Sequence, residues 1–506
     1  MNSLFDQSTP LPCPAPFNMS AHVLRLADRQ PGKIALSALS LWGSEDWTYG
    51  SLKSAILATG TGLLELGLKP GNRILLRLGN TVDFPVAYLG AIFVGLVPVP
   101  TSTQLTEREV AKIIGDLKPL AILHDPSIAC PEAPGIKLID SPELKKMRDL
   151  NPAHCNMGDP NRMAYIIYTS GTSGTPRAVC HAHRAIWARQ MMHQGWYGLT
   201  KNDCLLHAGA FNWTYTLGTG LMDPWSIGAT ALIPTESVEI KSLPFLLKRH
   251  KATIFAASPG VYRKILRDNI VYNFPNLRHG LTAGEKLSET TREHWFAATN
   301  TPLYEAYGMS ECSTFISSSP KSPAKPGTLG KPQSGRRVAI VDDTGPVPIG
   351  TEGTIAVSNR DPGLMLGYLN APNDTASVYQ GEWFLTGDLA VMDADFSITF
   401  KGRADDMMNA GGYRVSPLEV EALLLQFPGV ISVGVTDVEV KPNTRIIAVF
   451  YTAITELDET AFRAYVEQNV ARYKQPKLFQ RMVALPTNPN GKLNRRALRT
   501  QFEASL

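Results

Sequence analysis

Between Tyr168 and Arg177 the chain reads Tyr-Thr-Ser-Gly-Thr-Ser-Gly-Thr-Pro-Arg, directly after the strand-like run Ala164-Tyr-Ile-Ile-Tyr168. Hydroxyls and glycines alternate. Glycine lets the backbone approach an anion closely, and successive N–H groups form a concave nest. Gly171 and Gly174 supply that closeness. Thr169, Ser170, Thr172, Ser173 and Thr175 add hydroxyl donors, and Arg177 adds charge. The chemistry indicated is phosphate binding. The order differs from the Walker A pattern, so ordinary P-loop machinery is not implied. A flexible surface loop is the alternative reading of this segment alone. Other reactive-looking positions are ambiguous singly. Asp388 reads as a solvated turn residue, Glu311 as a surface charge, Ser310 as a cap and Tyr307 as core. Lys492 reads as a turn lysine and Gly411-Gly412 as a plain turn. No Ser-His-Asp or Cys-His signature is recognisable.

Taken in order, these segments resemble the adenylate-forming (AMP-binding) superfamily: acyl-CoA synthetases, luciferases and peptide-synthetase adenylation domains. The Thr169–Thr175 segment is similar to its phosphate loop. Tyr304-Glu-Ala-Tyr-Gly-Met-Ser-Glu311 resembles the adenine and magnesium motif, and Thr386-Gly-Asp-Leu389 the ribose motif. Gly402-Arg-Ala-Asp-Asp406 resembles the hinge and Gly411-Gly-Tyr-Arg-Val-Ser-Pro417 the stretch after it. Asn488-Pro-Asn-Gly-Lys492 resembles the catalytic-lysine motif. The resemblance spans essentially the whole chain.

What the resemblance implies is an acid–thiol ligase using ATP, Mg²⁺ and coenzyme A. Asp388 offers two acceptors to the ribose diol. Glu311 is a hard oxygen ligand for Mg²⁺ on the nucleotide phosphates. Glu305, Ala306 and Tyr307 flank adenine, and Ser310 donates to the α-phosphate. Arg403 holds ribose or phosphate. Lys492 binds the acid's carboxylate and the α-phosphate, stabilising charge in the transition state. Asp405 maps to the pivot of a mobile C-terminal domain, while Gly411, Gly412 and Tyr413 line the CoA tunnel. Two positions depart from the family pattern. Arg177 stands where lysine is usual and keeps the charge on a bulkier, planar group. Ala178 stands where glycine is usual. Asn409, where many relatives carry lysine, is also familiar in the family.

Phe211, Asn212, Trp213, Gly284 and Tyr307 map to the acyl pocket. Asn212 replaces the Asp that often holds an α-ammonium, and a buried ammonium without a counter-charge is costly. The expectation is therefore a short, branched, medium-chain or aryl acid rather than an amino acid. Trp213 and Tyr215 either narrow the pocket or fill the core. The chain ends soon after Lys492, which favours free CoA over a carrier protein. Loading of a carrier protein, a luciferase-like oxidation and non-catalytic AMP binding are the alternatives.

The elements that must position these residues follow from pattern. Apolar β-branched runs such as 73–77, 120–123, 229–233, 252–256 and 337–341 alternate with amphipathic stretches at 50–66 and 106–117. That alternation predicts an α/β fold of layered subdomains. After about Lys325 short strands and Gly/Pro turns predict a β-rich end. The expected division is an N-terminal domain over 1–403 and a small α+β domain over 404–506, mobile as the resemblance implies. There a helix over 416–426 is predicted, with Ser416 as N-cap and Leu418, Ala422 and Leu425 as its apolar stripe. The chain has 506 residues, 44% hydrophobic and 19% charged, with a formal net charge of +4. The slight charge argues against nucleic acid as a partner. Six scattered cysteines without C-x-x-C spacing read as reduced thiols, and no signal peptide is evident. The stretch 84–99 is broken by prolines and glycines and reads as a buried helix running into a strand, not a membrane span. A cytoplasmic enzyme acting on a small carboxylic acid is expected; a homodimer is compatible with the sequence.

Overall fold

The computed structural model describes residues 1–7, 9–169, 177–404, 406–410, 413–441, 444–469, 474–488 and 491–505. The chain packs into two compact units. One comprises Asp6–Arg337 and Ser358–Phe384; the other comprises Met1–Phe5, Val338–Val357 and Leu385–Leu506.

The larger unit is built on a nine-stranded sheet. Its order is Lys331–Pro332, Ser313–Ser317, Leu303–Met309, His279–Ala283, Ile254–Ala257, Cys204–His207, Thr230–Pro234, Ile34–Leu39, Ser44–Thr48. The six central strands run parallel. Buried on both faces, they read as continuous apolar runs such as Ile-Phe-Ala-Ala at 254–257. A second, four-stranded parallel sheet takes the order Val97–Pro100, Arg73–Arg77, Ala121–His124, Lys137–Asp140. The 84–99 stretch is helix Asp83–Phe93, buried at every residue, followed by strand Val97–Pro100. This helix and helix Tyr49–Glu65 share one core with Leu36 and Ile233 of the large sheet and Ile74 and Leu123 of the smaller one. Helix Glu107–Leu117 starts at a capping box, with the Thr106 hydroxyl accepting the Glu109 N–H and the Glu109 carboxylate accepting the Thr106 N–H.

The second unit carries strands Arg337–Asp342, Glu352–Ser358, Trp383–Met392 and Ile398–Arg403 in one antiparallel sheet. Its last part packs helices Pro417–Leu424 and Arg495–Glu503 on the sheet Val430–Lys441, Thr444–Ala453, Leu478–Arg481. The expected stripe of the first helix is corrected here. Pro417, Val420, Glu421 and Leu424 are its buried residues, while Ala422 is exposed. Glu421 displaces an apolar residue from the inner face because Arg495 pairs with its carboxylate at 2.6 Å and Val435 N–H donates to it at 2.8 Å. Ser416 does not cap with its side chain; its hydroxyl donates to the Lys401 carbonyl instead.

Among the described residues of the larger unit, two ion pairs have both side chains buried. Arg189 pairs with Asp223, and Arg336 with Asp361. Arg336 is fully buried and also donates to the Thr314 carbonyl at 3.2 Å. Breaking one partner of such a pair strands a charge in low dielectric. Arg336→Met should cost about 3–5 kcal/mol of unfolding free energy in urea, most of it recovered by adding Asp361→Leu. A loss below about 1 kcal/mol, the range of an exposed pair, contradicts this.

Burial also keeps histidines neutral. His207 is pushed down to about 3 from 6.5, and His279 to about 4. Unfolded, each binds a proton below about 6.5, while the folded rings do not until pH 3–4. The unfolded state therefore binds more protons in that window, and stability falls as pH drops from 6.5. Urea titrations at pH 7 and pH 5 should show this fall, and His207→Phe should reduce it; an unaltered pH slope in the variant contradicts the assignment.

Candidate functional site

Strand Cys204–His207 is flanked by Thr230–Pro234 on one side and Ile254–Ala257 on the other. The chain leaves it first to one neighbour and later returns to the other, so strand order reverses there. Ligands of open α/β sheets bind beyond the carboxyl ends of strands at such a switch point. Three of the predicted segments emerge from those ends: 208–215 after His207, Gly284 after Ala283, and Tyr307 to Glu311 at the end of Leu303–Met309.

Register does the next part. Ala283 lies opposite Ala306, which sets Gly284 beside the Tyr307 position. Gly284 has φ +96°, and a Cβ on it would stand 2.8 Å from Trp213 Cζ2. Glycine is therefore required twice over, by conformation and by the indole. Trp213 is half-buried and meets Tyr215 edge-on at 5.3 Å. Tyr215 is core: 8% exposed, its hydroxyl donates to the Leu281 carbonyl. Phe211 is core as well, packed on Phe84 at 5.2 Å, with its N–H held by Asn80 Oδ1 at 2.9 Å. Asn212 is half-buried, and Tyr307 packs edge-on to Phe315 at 5.4 Å. Trp213 against Gly284 is thus the contact the structure makes within the predicted acyl set.

The turn after Met309 is held from two sides. The Ser310 carbonyl accepts from His181 Nε2 at 2.8 Å. Glu311 Oε1 accepts from the Tyr368 hydroxyl at 2.9 Å, and the Glu311 carbonyl accepts Met365 N–H. Burial, then the neighbouring Glu311, push the Tyr368 phenol up, so it stays a donor. Tyr368 pairs with Val179 on strand Arg177–Ala182, and the Arg177 guanidinium lies 4.9 Å over its ring. Arg177 also sits 3.5 Å from Asp374. The strand leaving the predicted phosphate loop is in this way tied to Glu311 through one tyrosine. Sequence reasoning missed Tyr368 and His181. No motif marks Tyr368, and only strand pairing brings it in.

Glu305 is 1% exposed and spends its carboxylate on Lys286 at 3.1 Å, Leu287 N–H at 2.8 Å and Arg292 at 3.4 Å. Ala306 is buried in the strand. Among the described residues no group of three or more His, Cys, Asp or Glu is arranged to hold a metal. A single carboxylate such as Glu311 suits Mg²⁺ that arrives on nucleotide phosphates and keeps its waters.

In the other unit Asp388 and Arg403 face each other across an antiparallel pair. Arg403 Nη1 lies 3.3 Å from Asp388 Oδ1 and donates to the Thr386 carbonyl at 3.2 Å. Gly387 between them has φ +74°, and its missing Cβ leaves room for the guanidinium 3.1 Å away. Lys492 is exposed at a turn closed by Asn488, whose Oδ1 accepts Lys492 N–H and whose N–H donates to the Lys492 carbonyl. Ser170, Gly171, Thr172, Ser173, Gly174, Thr175, Asp405, Gly411 and Gly412 lie outside the described residues, as do the side chains of Thr169 and Tyr413.

Comparison with known proteins bears on the whole arrangement. The family model for "AMP-binding enzyme" matches residues 24–369. A 3-hydroxybenzoate–CoA ligase from Aromatoleum sp. (strain CIB) is 27% identical, over 91% of this chain and 93% of its own. The mitochondrial acyl-coenzyme A synthetase ACSM5 of Homo sapiens is 30% identical, over 91% and 84%. The crystal structure of a benzoate CoA ligase from Burkholderia xenovorans superposes with a TM-score of 0.86 at 27% identity, covering 96% of this chain and 100% of that one.

The Trp213–Gly284 contact gives a direct test. Gly284→Val should raise the KM for a carboxylic acid at least about ten-fold, roughly 1.4 kcal/mol, while leaving that for ATP within about two-fold. Equal loss for both substrates contradicts an acyl-pocket wall at this contact.

Proposed function

We infer that this chain, which belongs to the AMP-binding enzyme family, is an AMP-forming acid–thiol ligase: it adenylates a carboxylic acid with ATP and passes the acyl group to coenzyme A. The observation that carries the reading is the pinned Ser310–Glu311 turn at the switch end of the sheet, tied by Tyr368 to the strand leaving the phosphate loop.

In the first half-reaction the acid's carboxylate oxygen attacks the α-phosphorus and pyrophosphate leaves. The hydroxyl and N–H groups of 169–175 hold phosphate oxygens, and Ser310 donates to the α-phosphate. Asp388, with Arg403 against it, accepts the ribose hydroxyls. The Glu311 carboxylate, oriented by Tyr368, would hold Mg²⁺, which would supply neutralising charge to the phosphates. Lys492 places an ammonium on the carboxylate and α-phosphate. In the second half-reaction the CoA thiol attacks the adenylate's carbonyl carbon and AMP leaves. The segment 404–506 pivots at Asp405 between the two steps, and Gly411, Gly412 and Tyr413 then pass the pantetheine arm.

The acid is best read as aryl, short or branched. Trp213 closing on Gly284 gives an aromatic wall, and the half-buried Asn212 offers no counter-charge to an ammonium. The similarity to a benzoate ligase and a 3-hydroxybenzoate ligase points the same way. Among the described residues no helix is long and apolar enough to cross a membrane, and a cytoplasmic location belongs to this reading.

The test is pyrophosphate release from Mg-ATP across aryl, branched, short and medium-chain acids, each with and without CoA, with acyl-CoA measured as product. One acid giving both is expected. Release without thioester contradicts CoA as acceptor, and ATP binding without release for any acid contradicts the ligase. Lys492→Ala should lower adenylate formation by about 10²–10³-fold, the loss typical of one charge-stabilising donor, with ATP affinity nearly unchanged. Near-normal adenylation in that variant would remove Lys492 from the mechanism.

A further inference from the structure

Beneath Ser310 lies a cavity of about 20 Å³, lined among others by Tyr165, His181, Arg189, Thr214, Leu217 and Ser313. That is room for about one water-sized group. Its charged wall is already neutralised. Arg189 gives Nε and Nη2 to Asp223 at 3.0 and 2.6 Å, and Nη1 to Ser313 Oγ at 2.5 Å. The cavity therefore does not call for an ion.

His181 sets what it does call for. Its Nε2 meets the Ser310 carbonyl at 2.8 Å. A carbonyl only accepts, so Nε2 carries the proton and Nδ1 is an acceptor. His181 is 2% exposed, and its Nδ1 is buried with no hydrogen-bond partner. Burial pushes the ring down to about 4, so it is neutral at pH 7. Tyr165 stacks on it at 4.8 Å and 15°, which fixes the ring plane. A buried acceptor left without a donor costs about 1–3 kcal/mol. Phosphate oxygens are acceptors and cannot satisfy it. Thr214, which lines the cavity, follows Trp213 of the acyl-pocket segment in the chain.

We propose that this cavity is a subsite for a hydrogen-bond-donating substituent, a hydroxyl or an amine, on the carboxylic acid, with His181 Nδ1 as its acceptor. The proposal rests on the acyl-pocket reading of the 211–213 segment. His181 is here a specificity-determining residue, and the ring acts twice: one nitrogen positions Ser310 and the other reads the acid.

The experiment measures kcat/KM for matched pairs of acids, unsubstituted and hydroxy- or amino-substituted at each position, aryl and aliphatic, with the purified full chain. The wild type should prefer at least one substituted acid by about ten-fold over its parent. His181→Phe keeps the stack on Tyr165 and removes the acceptor, and should bring that ratio to about one whatever happens to the absolute rate. Ala185→Val, which narrows the same cavity and leaves the imidazole in place, should lower the ratio as well. A purely structural role would reduce both acids alike and leave the ratio intact, which overturns the proposal. So does a wild-type ratio of one for every pair, the result for a cavity that holds only water. A discrimination that moves with 2′- or 3′-deoxy-ATP in place of ATP overturns it too, since the hydroxyl read is then the nucleotide's. Absence of pyrophosphate release with every acid is a separate failure, that of the ligase reading itself.

Discussion

The parallel register between His279–Ala283 and Leu303–Met309 is the constraint on which the site depends. With Ala283 opposite Ala306, Gly284 leaves the sheet where Trp213 can close on it. The next residues along the neighbouring strand then carry Ser310 and Glu311 into their turn. A slip of one residue would turn every side chain of the strand to the other face. Both faces here are buried, so that slip would exchange Tyr304 and Glu305 between environments that fit only one of them. Glu305 has Lys286, Arg292 and the Leu287 N–H on its side; Tyr304 packs with the core that contains Trp196 and Leu281.

Around that register the protein spends buried polar groups on position rather than on net stability. The ion pairs Arg189–Asp223 and Arg336–Asp361 are the kind whose Coulomb gain roughly balances desolvation. What they do is fix local geometry. Arg189 reaches Ser313 and Arg336 reaches the Thr314 carbonyl, so both guanidiniums hold the strand that follows Glu311. Tyr368 and His181 hold the turn itself, one by a carboxylate and one by a carbonyl. A carboxylate proposed to meet a metal and phosphates at a fixed place gains from such restraint, because orientation set in advance is not lost as entropy at binding.

The motifs were legible because their chemistry is local. Glycine and hydroxyl spacing in 168–177 marks a candidate phosphate loop without knowledge of the fold. Thr386-Gly387-Asp388 and the turn at Asn488–Lys492 are likewise complete within a few residues. Gly387 and Gly491 in these two segments have positive φ. The 84–99 helix and strand, the amphipathic stretch at 106–117 and the β-rich end after Lys325 were also readable, since each rests on periodicity or turn residues.

Partners distant in sequence were not legible. Sequence by itself marked the candidate residues for the chemistry and determined that the chain alternates helix and strand. Only the tertiary structure decided that Tyr368 reaches Glu311, that His181 takes the Ser310 carbonyl, and that Tyr215 and Phe211 are core while Trp213 stands at Gly284. The helix at 417–424 shows the reason most plainly. Pattern favoured Leu418, Ala422 and Leu425 as its inner face, yet Glu421 is buried there because Arg495 arrives from the far end of the chain. Apolar periodicity assumes that the inside is apolar. A charge whose partner lies many residues away can take that place, and only the packed chain reveals the partner.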